Sequence, residues 1–405
     1  MTDSLWLVLP GVFLWAGILA LPWQPWRNRE TLEAGDARDA DLSDVTVLIP
    51  ARNEAAVIAE TLRAVAAQGH GQGIGQGNSM GHGQGIARGN SRGIGAGRDL
   101  NIVLVNDRST DATVAEVTRL GLGHLNIVNG RSLPAGWSGK LWALHQGLPF
   151  VKTELMLLLD ADIRLQPGTL CALKAKIQEH DRHFVSILAS LRMESFWEKL
   201  LMPAFVYFFK LLYPFHLSNA GSKWVAAAAG GCVLLRTSAL ARAGGFEAIK
   251  GKLIDDCALA RSFRDAGLHT WMGLSHSVRS GRSYDGLADI RAMIARTAYT
   301  QLRHSLLLLA LCTALLTSAF LLPVAGFLFG ADPVTRLLGL AGLVCMALSY
   351  LPTLRYYGMN PAWCAAFPLA GALYLLMTWD SARRHWTGAG AHWKQRSYAG
   401  SSGGA

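Results

Sequence analysis

Residues 155–163 read Leu-Met-Leu-Leu-Leu-Asp-Ala-Asp-Ile. A continuous apolar run of this length, closed by polar residues, fits a strand buried on both faces, as in a parallel sheet. The run ends in two carboxylates one residue apart, Asp160 and Asp162. Ligands of open α/β sheets bind outside the carboxyl ends of the strands, so the pair stands where a site forms. Two carboxylates there can hold a hard divalent cation, Mg²⁺ or Mn²⁺, which then clamps a diphosphate. A strand that merely ends in a polar turn has the same pattern, so the flanking chain has to decide between the two.

Working upstream, 44–52 (Asp-Val-Thr-Val-Leu-Ile-Pro-Ala-Arg) is a strand whose end carries Pro50, Arg52, Asn53 and Glu54. The Ala-, Leu- and Glu-rich stretch 55–68 follows as a helix. A second strand, 100–105, runs into Asn106-Asp107-Arg108-Ser109-Thr110-Asp111, where Ser109 or Thr110 can cap a helix from about Ala112. A short third strand covers 125–128. Next come a Gly-bearing loop and helix, 133–147, with Lys140, which can neutralise a phosphate. The order β-α-β-α-β-α-β predicts a parallel sheet with crossover helices. Polar clusters then close three strands: Asn53-Glu54, Asp107 and Asp160/Asp162.

Downstream, 196–217 is aromatic and apolar but interrupted by Pro203, Lys210 and Pro214. It reads as a helix lying in a membrane interface, with a buried core helix as the alternative. Gly230-Gly231 permit close approach of a ligand or backbone before a strand that ends at Arg236. Asp255 and Asp256 open a helix over 253–267, either as complements to its dipole or as a general base facing a pocket. Arg291, Arg296, Arg303 and His304 precede a long apolar run. They read either as a basic membrane flank or as a diphosphate-facing segment that closes over the site.

The rest of the chain is membrane-like or low in complexity. About 19 apolar residues, 5–23, are enough to span a bilayer, and the basic residues follow them rather than precede them. This predicts an uncleaved anchor (1–25) with a cytoplasmic domain behind it. Further spans are predicted at 306–329, 337–354 and 362–379, within a C-terminal membrane region of 305–380. One plus three spans puts the C-terminus outside. The basic residues of the 381–405 tail, Arg383, Arg384, Lys394 and Arg396, put it inside; a re-entrant segment would reconcile the two. Twelve of the 29 residues in 69–97 are glycine and Gly-His-Gly-Gln-Gly-Ile occurs twice, so 69–98 is a flexible insertion.

Composition agrees. Charged residues make up 16% of the chain, below the usual ~25%, as membrane segments require. The net charge of +10 suits anionic partners such as nucleotide phosphates or an anionic leaflet. No nucleic-acid-binding motif accompanies it, so nucleic acid is not the expected partner. The six cysteines form no Cys-x-x-Cys pair, which fits a reducing compartment.

These clusters together resemble the family 2 inverting glycosyltransferases over about 44–304. The resemblance implies the GT-A fold, an α/β nucleotide-diphospho-sugar transferase with a mostly parallel central sheet. Val47 to Glu54 is similar to the family's first strand and Pro-x-x-Asn-Glu turn. Asp107 stands where the family contacts the nucleobase, and Gly139-Lys140 with Ala143 and Gly147 resembles its Gly-Lys segment. Asp160-Ala-Asp162 matches the metal and diphosphate motif. Asp255-Asp256 falls on Glu-Asp, which makes Asp256 the base. Gln301-Leu-Arg303-His304 stands near the family's Gln-x-x-Arg-Trp, with Arg303 keeping the arginine.

The resemblance therefore implies donor binding by Pro50, Arg52, Asn53, Glu54, Asp107, Lys140, Asp160 and Arg303, and a cation, Mg²⁺ or Mn²⁺, on Asp162 and Asp160. Leu133-Pro-x-Gly-Trp-x-Gly-Lys140-x-Trp-Ala is similar to a subset acting on polyisoprenoid lipids, and the layout is most similar to hopanoid-biosynthesis-associated members. A lipid acceptor and a multi-pass protein of a bacterial-type inner membrane follow as expectations. A processive polysaccharide synthase and a non-catalytic scaffold of a lipid pathway are the rival readings.

Overall fold

In the computed structural model, which describes residues 3–36, 41–69, 100–387, 391–393 and 396–398, every residue of Leu155–Leu159 is buried. It is the fourth strand in sequence and the fourth in position of an eight-stranded sheet. The strands are β1 (Val45–Ala51), β2 (Asn101–Asn106), β3 (Leu125–Asn129), β4 (Leu155–Leu159), β5 (Ile163–Leu165), β6 (Phe184–Ser190), β7 (Cys232–Arg236) and β8 (Thr270–Ser280). Their order is β3-β2-β1-β4-β7-β6-β8-β5. The first four are mutually parallel, as expected. Beyond β4 the sheet becomes mixed: β7 is antiparallel to both β4 and β6, β8 is parallel to β6, and β5 is antiparallel to β8. The sequence reading places no strand at β5, β6 or β8, and so overstates how parallel the sheet is.

Side chains alternate across the sheet, and both faces are covered. Val45, Val47, Ile49, Ile102, Leu104, Leu155, Leu157 and Leu159 pack against the helices Ile58–Ala66 and Thr169–Gln178. Leu48, Val103, Val105, Met156 and Leu158 face the other way, towards the helices Gly139–Gly147 and Asp255–Asp265. Gly147 permits this second contact, because a Cβ there would sit 2.4 Å from Leu48 Cδ1 and 2.7 Å from Val105 Cγ2.

A second core joins the membrane-like helices to the sheet domain. The helix Phe196–Leu212 runs unbroken through Pro203 and ends before Pro214. Of its three charged residues, Glu198 and Lys210 are buried and Lys199 is half-buried. Glu198 accepts the backbone N–H groups of Glu194, Ser195 and Tyr284; Lys210 bonds to Asn28. Three helices are long and apolar enough to cross a membrane, Leu306–Phe329, Pro333–Tyr356 and Pro361–Trp386. The expected N-terminal span is a shorter apolar helix, Trp6–Ala20. It nonetheless packs among the others: Trp15 is 1% exposed and donates to Ala319 O at 2.7 Å. The last helix continues to Trp386, past the predicted start of the tail. The strands Ala391–Trp393 and Arg396–Tyr398 follow it as an antiparallel pair. The glycine-rich insertion lies outside the described residues from position 70 onward.

Past Ala20, the chain crosses to the sheet. Glu30 and Leu32 exchange backbone hydrogen bonds with Leu274 of β8. Glu33 accepts the N–H groups of His276 and Ser277 at 3.0 and 3.1 Å. The His276 ring meets the Tyr356 carbonyl at 2.8 Å, tying β8 to the end of the Pro333–Tyr356 helix.

Gly147→Leu is expected to destabilise the protein by about 1–3 kcal/mol through overpacking, and to misplace the helix that carries Lys140. Thermal unfolding in detergent measures this; an unchanged midpoint would show that the helix is not seated on Gly147.

Candidate active site

The site forms where the sheet changes direction. Because β7 runs opposite to β4, its first residue, Cys232, pairs with the last of β4, Leu159. Gly230-Gly231 are thereby laid beside Asp160 and Asp162, and Asp160 N–H donates to Gly231 O at 3.0 Å. The close approach depends on glycine. A Cβ on Gly230 would lie 3.1 Å from Lys140 Nζ and 3.3 Å from Asp256 Cβ.

Lys140, in the first turn of its helix, lies 2.6 Å from Asp160 Oδ1, 4.0 Å from Asp255 Oδ2 and 3.3 Å from Gly230 O. Ser138 caps that helix by accepting from Leu141 N. Asp255 and Asp256 occupy the first turn of the Asp255–Asp265 helix. Asp256 is held at both oxygens: Oδ2 accepts from Gly230 N at 3.0 Å and Oδ1 from Cys257 N at 2.7 Å. Asp162 accepts a long 3.4 Å bond from Ser280 Oγ, while its carbonyl takes Gly281 N–H at 2.7 Å. These side chains line one cleft of about 220 Å³, together with Pro50, Glu54, Lys252, Arg282 and Arg296.

A second polar wall stands at the ends of β1 and β2. Arg52 Nη1 donates to Asp107 O at 2.7 Å, and Asn53 Oδ1 accepts from Thr110 N at 2.8 Å. Glu54 N–H donates to Thr113 Oγ1 at 2.8 Å. Asp107 is 1% exposed. Asn53 and Arg108 both take positive φ, so two sharp turns meet there. The structure thus gathers Pro50, Glu54, Lys140, Asp160, Asp162, Asp255 and Asp256 around the cleft, with Arg52, Asn53 and Asp107 on the adjoining wall.

Arg303 is not brought in. It is exposed, in the turn after the helix Leu287–Gln301. Arg296, two turns earlier on that helix, lines the cleft instead, and its Nε has no hydrogen-bond partner among the described residues. The sequence reading selected the segment but fixed on the arginine nearest the family motif. Arg282 was missed altogether; it sits in the irregular stretch after β8, where no periodicity or motif marks it. Lys252 was missed for the same reason; Ser138 was passed over as a variable position inside the Leu133–Ala143 motif.

Negative charge is crowded here. Burial and the neighbouring Asp162 and Asp255 push the Asp160 carboxyl up from its ordinary value, although Lys140 pulls it down. Burial, then the Asp255 charge, raises Asp256 to about 6 against the stabilising bonds from Cys257 N and Gly230 N and the Lys140 charge. Burial alone would lower Lys140; the carboxylates of Asp160, Asp255 and Asp256 outweigh it and raise it instead. A divalent cation fits this imbalance. Among the described residues no three His, Cys, Asp or Glu side chains are grouped to cage a metal. Asp160 and Asp162 can supply two oxygens, and a ligand's phosphates the others, the sparse protein coordination usual for Mg²⁺.

The glycosyl transferase family 2 model matches residues 46–244, and the glycosyl transferase family group 2 model matches residues 155–379. No curated protein matches the chain. Among solved structures, the chain is similar to the mannosyltransferase PcManGT from Pyrobaculum calidifontis in complex with GDP-Man and Mn²⁺, at 18% identity and TM-score 0.50, over 95% of this chain and 96% of that one. Glucosyl-3-phosphoglycerate synthase from Mycobacterium tuberculosis, in complex with Mn²⁺, UDP and phosphoglyceric acid, aligns at 16% identity and TM-score 0.38, over 64% and 78% of the two chains. TarS of S. aureus aligns at 14% identity and TM-score 0.38, over 82% and 55%. With the mixed sheet and a family model covering more than half of its length, the chain belongs to glycosyl transferase family group 2 and is a glycosyltransferase of the GT-A fold.

Proposed function

We propose that the protein is a membrane-bound inverting glycosyltransferase of a bacterial-type inner membrane. It moves a sugar from a nucleoside-diphosphate donor to the hydroxyl of a hopanoid or other polyisoprenoid-like lipid. The carrying observation is the convergence of Asp160, Asp162, Lys140, Asp255, Asp256, Arg282 and Arg296 on one cleft, in a chain with three helices long and apolar enough to cross a membrane. GDP-Man and Mn²⁺ in the P. calidifontis enzyme support a nucleotide-sugar donor and a divalent cation here. The lipid acceptor rests on the Leu133–Ala143 motif and on those helices.

In this reading the Asp107 wall receives the nucleoside. The diphosphate lies along β4, met by Lys140 and the guanidinium groups of Arg282 and Arg296, which offset the charge that develops on the leaving group. Asp162, with Asp160, would hold the cation; bound there, it neutralises the departing diphosphate as a Lewis acid. Asp256 takes the proton of the acceptor hydroxyl as that oxygen attacks the anomeric carbon on the face opposite the diphosphate. The two backbone bonds to its oxygens fix its direction. A pKa near 6 suits a base that works at neutral pH. Asp255 keeps Lys140 central and raises the basicity of its neighbour.

Asp256→Asn is expected to lower kcat by roughly 10²–10⁴-fold while leaving nucleotide binding intact. Transfer near the wild-type rate, in membranes given labelled nucleotide sugar, would remove Asp256 as the base.

The ionised base is the active form, so kcat/KM should rise with pH through about 6 and level off above it. Lys140→Met removes a cation that favours the carboxylate, and its acidic limb should move to higher pH. A limb that stays in place would show that Lys140 does not act on Asp256.

Chelation of divalent cations should abolish transfer, and Mn²⁺ or Mg²⁺ should restore it. In Asp162→Asn, titration calorimetry should find nucleotide binding no longer strengthened by Mn²⁺; an undiminished Mn²⁺ effect would exclude Asp162 as a ligand.

A further inference from the structure

We infer that the last long apolar helix, Pro361–Trp386, does not cross the bilayer but lies along its catalytic side, so that the chain crosses three times and ends on the side of the catalytic unit. The inference rests on the membrane-bound reading above.

Its basis is the helix's contacts along its whole length. At its start, the Trp363 ring lies 5.7 Å from that of Phe196, at the head of the helix Phe196–Leu212. One turn on, Phe367 packs edge-on against Tyr207 at 5.2 Å. Midway, Tyr374 Oη donates to Leu201 O at 2.9 Å. Near the end, Asp380 pairs with Arg291, and Ser381 Oγ bonds the backbone of Ala295 and Tyr299. At the last turn His385 stacks on His304 at 4.1 Å. The strand Ala391–Trp393 beyond it lies against the helix Leu287–Gln301. A crossing helix leaves its soluble domain at one end by the ~30 Å of the hydrocarbon layer; here both ends and the middle stay on the catalytic unit.

The other apolar helices do leave it. Leu306–Phe329 departs from the catalytic unit at Ser305, and Pro333–Tyr356 returns, with the Tyr356 carbonyl on His276 of β8. The turn at Gly330–Asp332 lies at their far end. The Asp3–Ala20 helix runs antiparallel to Leu306–Phe329, with Val8 against Gly326 and Trp15 on Ala319. Its far end is therefore its N-terminus. Phe367 meets these crossing helices at Trp15 and Tyr350, about two turns or less from where they re-enter the catalytic unit at Ala20 and Tyr356, and at Phe320, about four turns beyond Ser305.

The outer face of the last helix fits a lipid surface. Leu369, Leu376, Trp379 and Trp386 are 51%, 65%, 42% and 50% exposed, on the side opposite the buried Ala370, Tyr374, Met377 and Ser381. Asp380, Arg383 and Arg384 form one ion cluster with Arg291, at the depth of the headgroups. Three crossings also remove a contradiction. They put Arg27, Arg29, Arg355, Arg383 and Arg384 on one side, as the positive-inside rule requires, whereas a fourth would carry the last two across.

The test uses the full chain with a topology reporter inserted after Ala331 or fused at the C-terminus, in sealed vesicles. The reporter at 331 is expected on the face opposite the catalytic unit. The C-terminal one is expected on the same face, cut by protease together with the catalytic unit. A C-terminal reporter protected while the catalytic unit is digested, in a protein that resists carbonate extraction, overturns the inference and leaves the membrane-bound reading standing. Release of the whole protein by carbonate overturns both.

Discussion

Lys140 stands against four carboxylates, Asp160, Asp162, Asp255 and Asp256, at the carboxyl end of β4. No single ammonium group balances that set, and the residual negative charge governs the behaviour of the site. It draws in Arg282 and Arg296 from the far rim, makes a divalent cation favourable, and leaves Asp256 basic enough to take a proton near neutrality. A diphosphate alone would be repelled; a cation and the two guanidinium groups supply the positive charge that lets it bind. The same crowding explains why Asp160 rises although it touches Lys140: one attractive neighbour is outweighed by burial and two repulsive ones.

The sheet makes this crowding possible. Four parallel strands deliver polar ends to one edge, and the antiparallel β7 starts at that edge, bringing Gly230 to the carboxylates without a loop of its own. The Asp255–Asp265 helix arrives from elsewhere in the chain and is locked in register by a backbone N–H of Gly230. The Lys140 and Asp256 sides of the cleft are thus joined through a residue with no side chain. Bulk there would separate Lys140 from Asp256.

Much of this was legible in the sequence. A five-residue wholly apolar run admits one burial state, and β4 follows from it. Asp160, Asp162, Asp107 and Lys140 are marked by strand ends and a helix start, which local pattern reveals. The strands β6 and β8 were not legible, because they pair with each other, and β6 with β7, across long separations and carry no turn signal at a fixed offset. The choice between Arg296 and Arg303 turned on where the helix ends: seven residues apart they would share one face, but the helix stops at Gln301 and Arg303 takes a positive φ in the turn beyond it. The last apolar helix shows the limit of composition most clearly. Hydropathy cannot tell a helix that passes through lipid from one that lies between lipid and protein. That difference rests on Tyr374, Asp380 and Ser381 finding partners in the catalytic unit.

The attachment of β8 bears on how the cation site is set. At His276 this strand is bonded to the end of a membrane helix; a few residues on, Ser280 and Gly281 hold Asp162. Between these points β8 breaks its register with β6, which pairs Ala189 with Ser275 and then Ser190 with Arg279, while β5 holds Val278 to Ser280 from the other side. Asp162 is therefore surveyed from the helix bundle as well as from the sheet. A change in the seating of the Pro333–Tyr356 helix therefore meets this irregularity, and the short β5 pairing, on its way to the carboxylate.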